Sequence, residues 1–314
     1  MIFVEMYGRL GNQFFRYAAA RAIQKKYYPD EKIVINFTQI NDIHKIDTSF
    51  YNVLEDYNVA PYDVYPKSGK VIFKESGLIQ KIVGAFYYFE IKSIETVNMN
   101  AMIAVEKKWQ PTLDKLGLYW YRRGGKELGY SKLKHKFISG NFENPLFFSE
   151  IREELLKEFT PKHPRIEKNQ KLYDIIEFKE SVCISIRRGD FESNETIKSL
   201  HSVCHKDYYL RAINEIKKHV KDPVFILFSD DIEWAKENIK TGAETYHEDG
   251  TDPVWEKLRM MSLCKHFIIS NSTFSWWSQY LATNMNKVVI SPSRWFNNDY
   301  KSPLIQENFI KIDV

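Results

Sequence analysis

Cysteine is scarce in this chain. There are three, Cys183, Cys204 and Cys264, an odd number with no Cys-x-x-Cys spacing. That excludes a disulfide framework, offers no convincing metal site and suits a reducing compartment. Long apolar runs are missing too; none approaches the ~18 residues of a membrane span. The opening run Met1-Ile2-Phe3-Val4-Glu5-Met6 is too short for a signal segment and has no basic lead. The positive excess is only +4, which points away from nucleic acid. Repeats and low-complexity stretches are absent. No Gly-x-Gly-x-x-Gly supports a dinucleotide site and no Gly-x4-Gly-Lys-Ser/Thr supports nucleotide hydrolysis. No Asp-x-Asp is present to carry a metal on a diphosphate.

What remains is a chain of 314 residues with 44% hydrophobic and 27% charged residues, enough for two domains or one large one. Aromatic residues make up 15%, a composition that suits both a full core and sugar-ring contacts. The most informative stretch is Val182-Cys183-Ile184-Ser185-Ile186-Arg187-Arg188-Gly189-Asp190. Its first half predicts a buried strand of a parallel sheet. The second half then falls at the strand's carboxyl end, where open α/β sheets hold ligands. Two guanidiniums there suit a phosphate or pyrophosphate. A strand-end Arg–Asp ion pair is the competing reading.

The pattern around this stretch alternates. At the start, a strand over 2–6 leads through Tyr7-Gly8-Arg9-Leu10-Gly11-Asn12-Gln13 into a helix over 14–26, the opening of a Rossmann-like unit. Arg9, Asn12 and Gln13 can reach a ligand from that turn, or Asn12 can simply cap the helix. A strand over 32–37 follows. From about 38 to 136 the periodicity is mixed. Tyr119-Trp120-Tyr121-Arg122-Arg123 in that region reads either as a sugar-acceptor patch or as a buried strand end. Two prolines in Thr160-Pro161-Lys162-His163-Pro164 mark a boundary, giving domains 1–160 and 161–314. Beyond it, strands near 182–186, 223–228, 245–247, 266–270 and 288–291 alternate with helices, which predicts a doubly wound parallel sheet. Residues 191–205 read as a polar loop.

Three of these strands end in polar clusters: Arg187-Arg188-Gly189-Asp190, Ser229-Asp230-Asp231 and Asn271-Ser272-Thr273-Phe274-Ser275. In a parallel sheet they share one edge and can converge. The last cluster opens a helix, whose free N–H groups and hydroxyls suit an anion. A carboxylate at Asp230 can accept donors from a base such as guanine. Helix capping is the competing reading for Ser272, Thr273, Asp230 and Asp231. Together the clusters predict a nucleoside-diphosphate site that uses arginines instead of metal.

At these residues the sequence resembles the α-1,2-fucosyltransferases of glycosyltransferase family 11. Gly8-Arg9-Leu10-Gly11-Asn12-Gln13-Phe14-Phe15-Arg16-Tyr17-Ala18 is similar to the family's N-terminal signature. Ile184 to Phe191 resembles its His-x-Arg-Arg-x-Asp block. Phe228-Ser229-Asp230-Asp231 and Ile269 to Trp277 resemble its later blocks, in the same order; no motif covers residues 38–136. The family often has histidine where Ser185 stands, which puts any histidine-dependent step in doubt.

The resemblance implies a GT-B fold, two Rossmann-like domains with the active site between them. The N-terminal domain would face the acceptor and the C-terminal domain would bind the donor, with the last residues packing back on the N-terminal domain. It implies an enzyme that transfers L-fucose from GDP-β-L-fucose, with inversion and without metal or other cofactor, to the 2-hydroxyl of a terminal galactose in a glycan. Arg187 would stabilise the departing GDP. Asp190 and Asn12 are the other catalytic candidates. Arg9, Gly11, Ser185, Arg188, Asp230, Asn271, Ser272, Thr273 and Phe274 would line the donor pocket, and Tyr119, Trp120 and Tyr121 would meet the acceptor. Transfer of another GDP-sugar, another linkage, or glycan binding without turnover are the alternatives. The expected setting is the cytoplasm, with membrane contact at most peripheral and no nucleic-acid partner.

Overall fold

The computed structural model describes residues 1–94, 98–122, 124, 127–189 and 194–314. The chain divides into two compact units, Met1–Thr160 and Pro161–Val314, with the break inside the two-proline segment. No described helix is long and apolar enough to cross a membrane.

The first unit contains strands β1 (Ile2–Glu5), β2 (Ile33–Asn36), β3 (Asp63–Val64), β4 (Leu118–Tyr119) and β5 (Lys136–Ile138). Its helices are α1 (Leu10–Tyr27), α2 (Thr38–His44), α3 (Val71–Glu75), α4 (Leu78–Lys92), α5 (Met99–Lys115) and α6 (Arg152–Glu158). The strand order is β3-β2-β1-β5-β4, with every pairing parallel. Phe3 stacks on Phe137 at 5.5 Å and Phe14 on Phe159 at 3.7 Å, so aromatic faces bind both α1 and the sheet into one core. Glu158 accepts from Tyr17 (2.6 Å) and pairs with Arg21 (2.6 Å), tying α1 to α6.

The second unit contains β6 (Ser181–Ile186), β7 (Val224–Ser229), β8 (Thr245–His247), β9 (His266–Ile268), β10 (Val289–Pro292) and β11 (Ile310–Ile312). Its helices are α7 (Gln170–Phe178), α8 (Glu195–His201), α9 (Lys206–Ile216), α10 (Ile232–Asn238), α11 (Val254–Leu263) and α12 (Thr273–Leu281). The order β11-β10-β9-β6-β7-β8 is again parallel throughout the described pairs and is the doubly wound arrangement. The central strands are buried on both faces, which is why they read as unbroken apolar runs. Tyr209, Ala212, Ile213 and Ile216 of α9 cover Val182, Ile184 and Ile186. The last strand, β11, forms one edge of the second sheet beside β10. One expectation changes here: the expected loop over 191–205 contains helix α8.

His266 at the start of β9 carries a pH consequence. It is buried, its Nδ1 accepts from the Val288 N–H (3.0 Å), and its Nε2 faces Glu180 (3.3 Å). Burial pushes its pKa down from the ordinary imidazole value. The unfolded chain therefore binds the proton more tightly. His266 contributes its full stability above about pH 6.5 and loses it as the pH falls through its lower folded value. The expected result is a urea midpoint that drops between pH 7 and pH 5, with a shallower drop in His266→Asn, which keeps an acceptor near the Nδ1 position.

Candidate active site

The site is built where β9, β6 and β7 end side by side. Strands lie about 4.8 Å apart, so clusters on three neighbouring strands fall within about 10 Å along one edge. The strand order reverses between β6 and β9, and this switch point is where open α/β sheets leave a crevice. Arg187 and Arg188 follow β6, Ser229-Asp230-Asp231 closes β7, and Asn271-Ser272-Thr273 follows β9.

The ion pair weighed as a competing reading is present, and it organises the arginines. Arg187 Nη1 lies 2.8 Å from Asp230 Oδ2, with both side chains about one-quarter exposed. The Arg188 N–H donates to Asp230 Oδ1 (2.9 Å). Arg188 Nε donates to Asp231 Oδ2 (3.2 Å), and its guanidinium lies 3.9 Å over the Trp234 ring. A guanidinium held on one edge keeps its remaining N–H donors in a fixed direction. Asp231 also caps α10 by accepting from the Trp234 N–H (3.2 Å). Gly189 permits the close approach: a Cβ there would stand 2.6 Å from Asp230 Oδ2. Asp190 lies outside the described residues.

The helix-opening cluster behaves differently from a simple cap. Ser272 has extended backbone at the N-cap of α12, yet its hydroxyl makes no side-chain cap bond. Ser272, Thr273 and Phe274 are half-buried, while Ser275 Oγ turns inward to accept from the Ser270 N–H (3.2 Å). Without a side-chain cap from Ser272, the amino end of α12, the positive end of its helix dipole, is a setting favourable to an anion. Two expected donor contacts are internal instead. Asn271 is 3% exposed, and its Nδ2 donates to the carbonyls of His201 (2.7 Å) and Trp295 (2.9 Å), bracing two loops. Ser185 is buried on β6 and pairs in register with Phe228.

The first unit has its own switch point, between β1 and β5. Gly8 turns there with φ +81°, and a Cβ on it would meet the Asn12 side chain at 2.6 Å. Asn12 is half-buried, and Gly11 is buried within the first turn of α1. Arg9 is the N-cap residue of α1; it donates to Asp47 (3.1 Å) and Ser49 (3.1 Å) and lies over Phe50. Gln13, buried, donates to the Gly8 and Tyr51 carbonyls and fixes the turn.

A cavity opens at the same edge, lined by Arg16, Lys70, Tyr88, Trp120, Arg122 and Asn141 among others. Arg16 is 7% exposed, donates to the Glu5 carbonyl (3.0 Å) and is lowered by burial to about 10. Sequence reasoning named it only within the N-terminal signature and gave it no role, because arginine recurs along α1 and its spacing there marks no site. It missed Trp234, whose place in the first turn after Asp231 was the available clue.

Of the aromatic trio, only half-buried Trp120 lines this cavity. Tyr119 and Tyr121 are fully buried and donate to the Gly129 carbonyl (2.7 Å) and Asp114 (2.6 Å). They are core residues, which corrects their expected acceptor role: alternation along β4 and its extension turns both inward.

One acidic group among the described residues has metal-ligand spacing, Glu248, Asp249 and Asp252 after β8. Lys168 pairs with Asp249 (2.8 Å) and Asp252 (3.0 Å), and Lys257 with Glu248 (3.3 Å), so each of the three carboxylates already has a lysine partner.

The profile described as "Glycosyl transferase family 11" matches residues 118–313. The chain is 30% identical to the O-antigen biosynthesis glycosyltransferase WbnK of Escherichia coli, over 97% of this chain and 98% of that protein. It is 34% identical to an alpha-1,2-colitosyltransferase of Escherichia coli over 54% of this chain and 59% of that one. It is 28% identical to the Homo sapiens galactoside alpha-(1,2)-fucosyltransferase 1 over 49% of this chain and 45% of that one. With its two parallel-sheet units in the GT-B pattern and a family match over more than half its length, the chain belongs to glycosyl transferase family 11.

Proposed function

We propose that this chain is an inverting, metal-independent galactoside α-1,2-fucosyltransferase, moving L-fucose from GDP-β-L-fucose to the 2-hydroxyl of a terminal galactose. The observation that carries the reading is the Arg187–Asp230 pair at the end of β6, the strand that neighbours β9 and so the segment leading into α12, across the switch point of the second sheet.

In this reading Arg187 donates to the β-phosphate and stabilises the charge that grows as the glycosidic bond to GDP breaks. Asp230 fixes the direction of Arg187. Each carboxylate oxygen has a second lone pair, so Asp230 can also accept from the guanine edge. Ser272, Thr273 and Phe274 surround the diphosphate and fucose, with α12 directing its N–H groups at the anion. Arg188, stacked on Trp234, shapes the same pocket. Arg9, Gly11 and Asn12 contribute the acceptor-side turn, where Asn12 positions the attacking hydroxyl. Asp190 is the carboxylate candidate for taking its proton. Trp120 offers an aromatic face to the acceptor.

The test is GDP release by the purified protein with GDP-fucose, a panel of terminal β-galactosides and EDTA. Acceptor-dependent release that survives EDTA, with product fucose on the galactose 2-hydroxyl, is the expected outcome. Release abolished by EDTA and restored by a divalent cation, or fucose on another hydroxyl, would overturn the corresponding part. A second reading replaces fucose by another GDP-sugar, favoured by similarity to the colitosyltransferase. Competition between donors separates the two: the true donor turns over with the higher kcat/KM.

A further inference from the structure

Helix α4 is amphipathic with its faces exchanged. Its inward face carries Gln80, Gly84, Tyr87 and Ile91, all buried. Gln80 Nε2 donates to the carbonyls of Leu116 (2.8 Å) and His135 (3.1 Å), and the Tyr87 hydroxyl donates to the Trp120 carbonyl (2.6 Å). Gly84 lies against the Trp120 ring, 3.2 Å from where a Cβ would stand. These contacts fix the rotation of the helix. The opposite face therefore points outward, and it is the apolar one. Leu78 is 76% exposed, Ile79 59%, Ile82 48%, Phe86 64% and Phe89 68%, and Phe73 on α3 is 66% exposed. At 100° per residue, Leu78, Ile79, Ile82, Phe86 and Phe89 fall within an arc of about 100°.

The charges at the rim of this face decide what it fits. Lys81 and Lys92 lie together along one edge, beyond Leu78 and Phe89. Tyr88 shares that edge, with Lys92 Nζ 5.8 Å from its ring centroid. The single acid of the helix, Glu90, is held on the other edge by Lys108 (2.7 Å) and Trp109 (2.6 Å). An apolar stripe bordered by lysine and tyrosine matches the boundary between acyl chains and anionic headgroups. Pairing two copies with antiparallel α4 helices about a twofold axis would bring basic edges toward each other, and parallel pairing would set each against Glu90, whose charge Lys108 already offsets. A negatively charged surface complements them.

We propose that the outward face of α4 is a docking surface for an anionic lipid bilayer, with the apolar side chains entering the interface and Lys81 and Lys92 at headgroup level. The helix lies in the plane of the surface and does not span it. Because Tyr88 also lines the cavity at the edge of the first sheet, docking holds that cavity's rim near the headgroups. The inference stands apart from the donor and acceptor assignment, since lipid alone is the ligand.

The experiment is vesicle flotation of the full chain with phosphatidylcholine vesicles and with phosphatidylcholine–phosphatidylglycerol vesicles. The expected result is partition into the anionic vesicles at least about tenfold above the neutral ones, weakening with salt. Ile82→Asp/Phe86→Asp is expected to abolish it. Lys81→Glu/Lys92→Glu is expected to lower it by about fivefold or more per lysine. Ile79→Ser/Phe89→Ser is a gentler second pair, and unchanged thermal midpoints confirm folding of the variants. Failure of the wild type to float with anionic vesicles would overturn the proposal, as would variants that float like it. Dimerisation that Phe86→Asp disperses, with no vesicle binding, would assign the face to a second copy and also overturn it.

Discussion

Arg187→Ala is expected to lower GDP-fucose-dependent turnover by about 10²–10³-fold, the usual loss when a preorganised charge donor is removed from a site of developing negative charge. Arg187 stands at the end of β6, where three strands converge, and Asp230 holds its guanidinium at 2.8 Å. Alanine removes the donor and leaves Asp230, one-quarter exposed, with its charge facing the same crevice. The loss therefore combines a missing positive charge with an uncompensated negative one. Arg187→Lys restores the charge without the fork and is expected to recover part of the rate. Gly189→Ala tests the same arrangement with both arginines in place, because its Cβ would displace Asp230 from Arg187. The measurement is kcat and KM for the donor beside GDP affinity. A fall in kcat with nearly unchanged GDP affinity marks stabilisation confined to the transition state. Wild-type kcat/KM in Arg187→Ala would remove the foundation of the proposed function.

Trp276→Ala is expected to destabilise the second unit by about 3–5 kcal/mol. Trp276 is fully buried, stacks on Tyr280 at 4.8 Å, meets Trp277 edge-on at 5.2 Å and donates from Nε1 to the Leu304 carbonyl (3.0 Å). Truncation leaves a cavity that its packed neighbours cannot fill and an unpaired buried carbonyl. Domains of this size are stable by only about 5–15 kcal/mol, so the loss is a large fraction of the total. The urea midpoint of the intact chain measures it, with Trp276→Phe expected to retain most of the stack but not the hydrogen bond. Because Trp276 lies in the first turn of α12, the loosened helix is also expected to weaken GDP binding. A midpoint shift below about 1 kcal/mol equivalent would show that the aromatic cluster is not what anchors α12.

The second unit was largely legible because its strands are covered on both faces. Residues 182–186 and 223–228 read as continuous apolar runs, and the polar residues after them mark the carboxyl edge without further information. The first unit was hidden between residues 38 and 136 for a physical reason. Helix α4 turns glycine and hydrogen-bonding side chains inward and apolar ones outward, the reverse of the pattern that reveals a surface helix. Strands β3 and β4 have two residues each, too few for any periodicity.

Within the site, sequence alone determined which chemistries were available: a guanidinium pair, carboxylates and a helix-opening Ser-Thr, each at a strand end. Those assignments depend only on local pattern and on the rule that parallel strands share an edge. Tertiary structure decided how the groups are used. It paired Arg187 with Asp230, laid Arg188 on Trp234, left the Ser272 hydroxyl out of capping, and drew Asn271, Tyr119 and Tyr121 into the interior. Partner choice and burial depend on which segments meet across long sequence separations, and residues 43 apart such as Arg187 and Asp230 carry no mark of it in their own neighbourhoods.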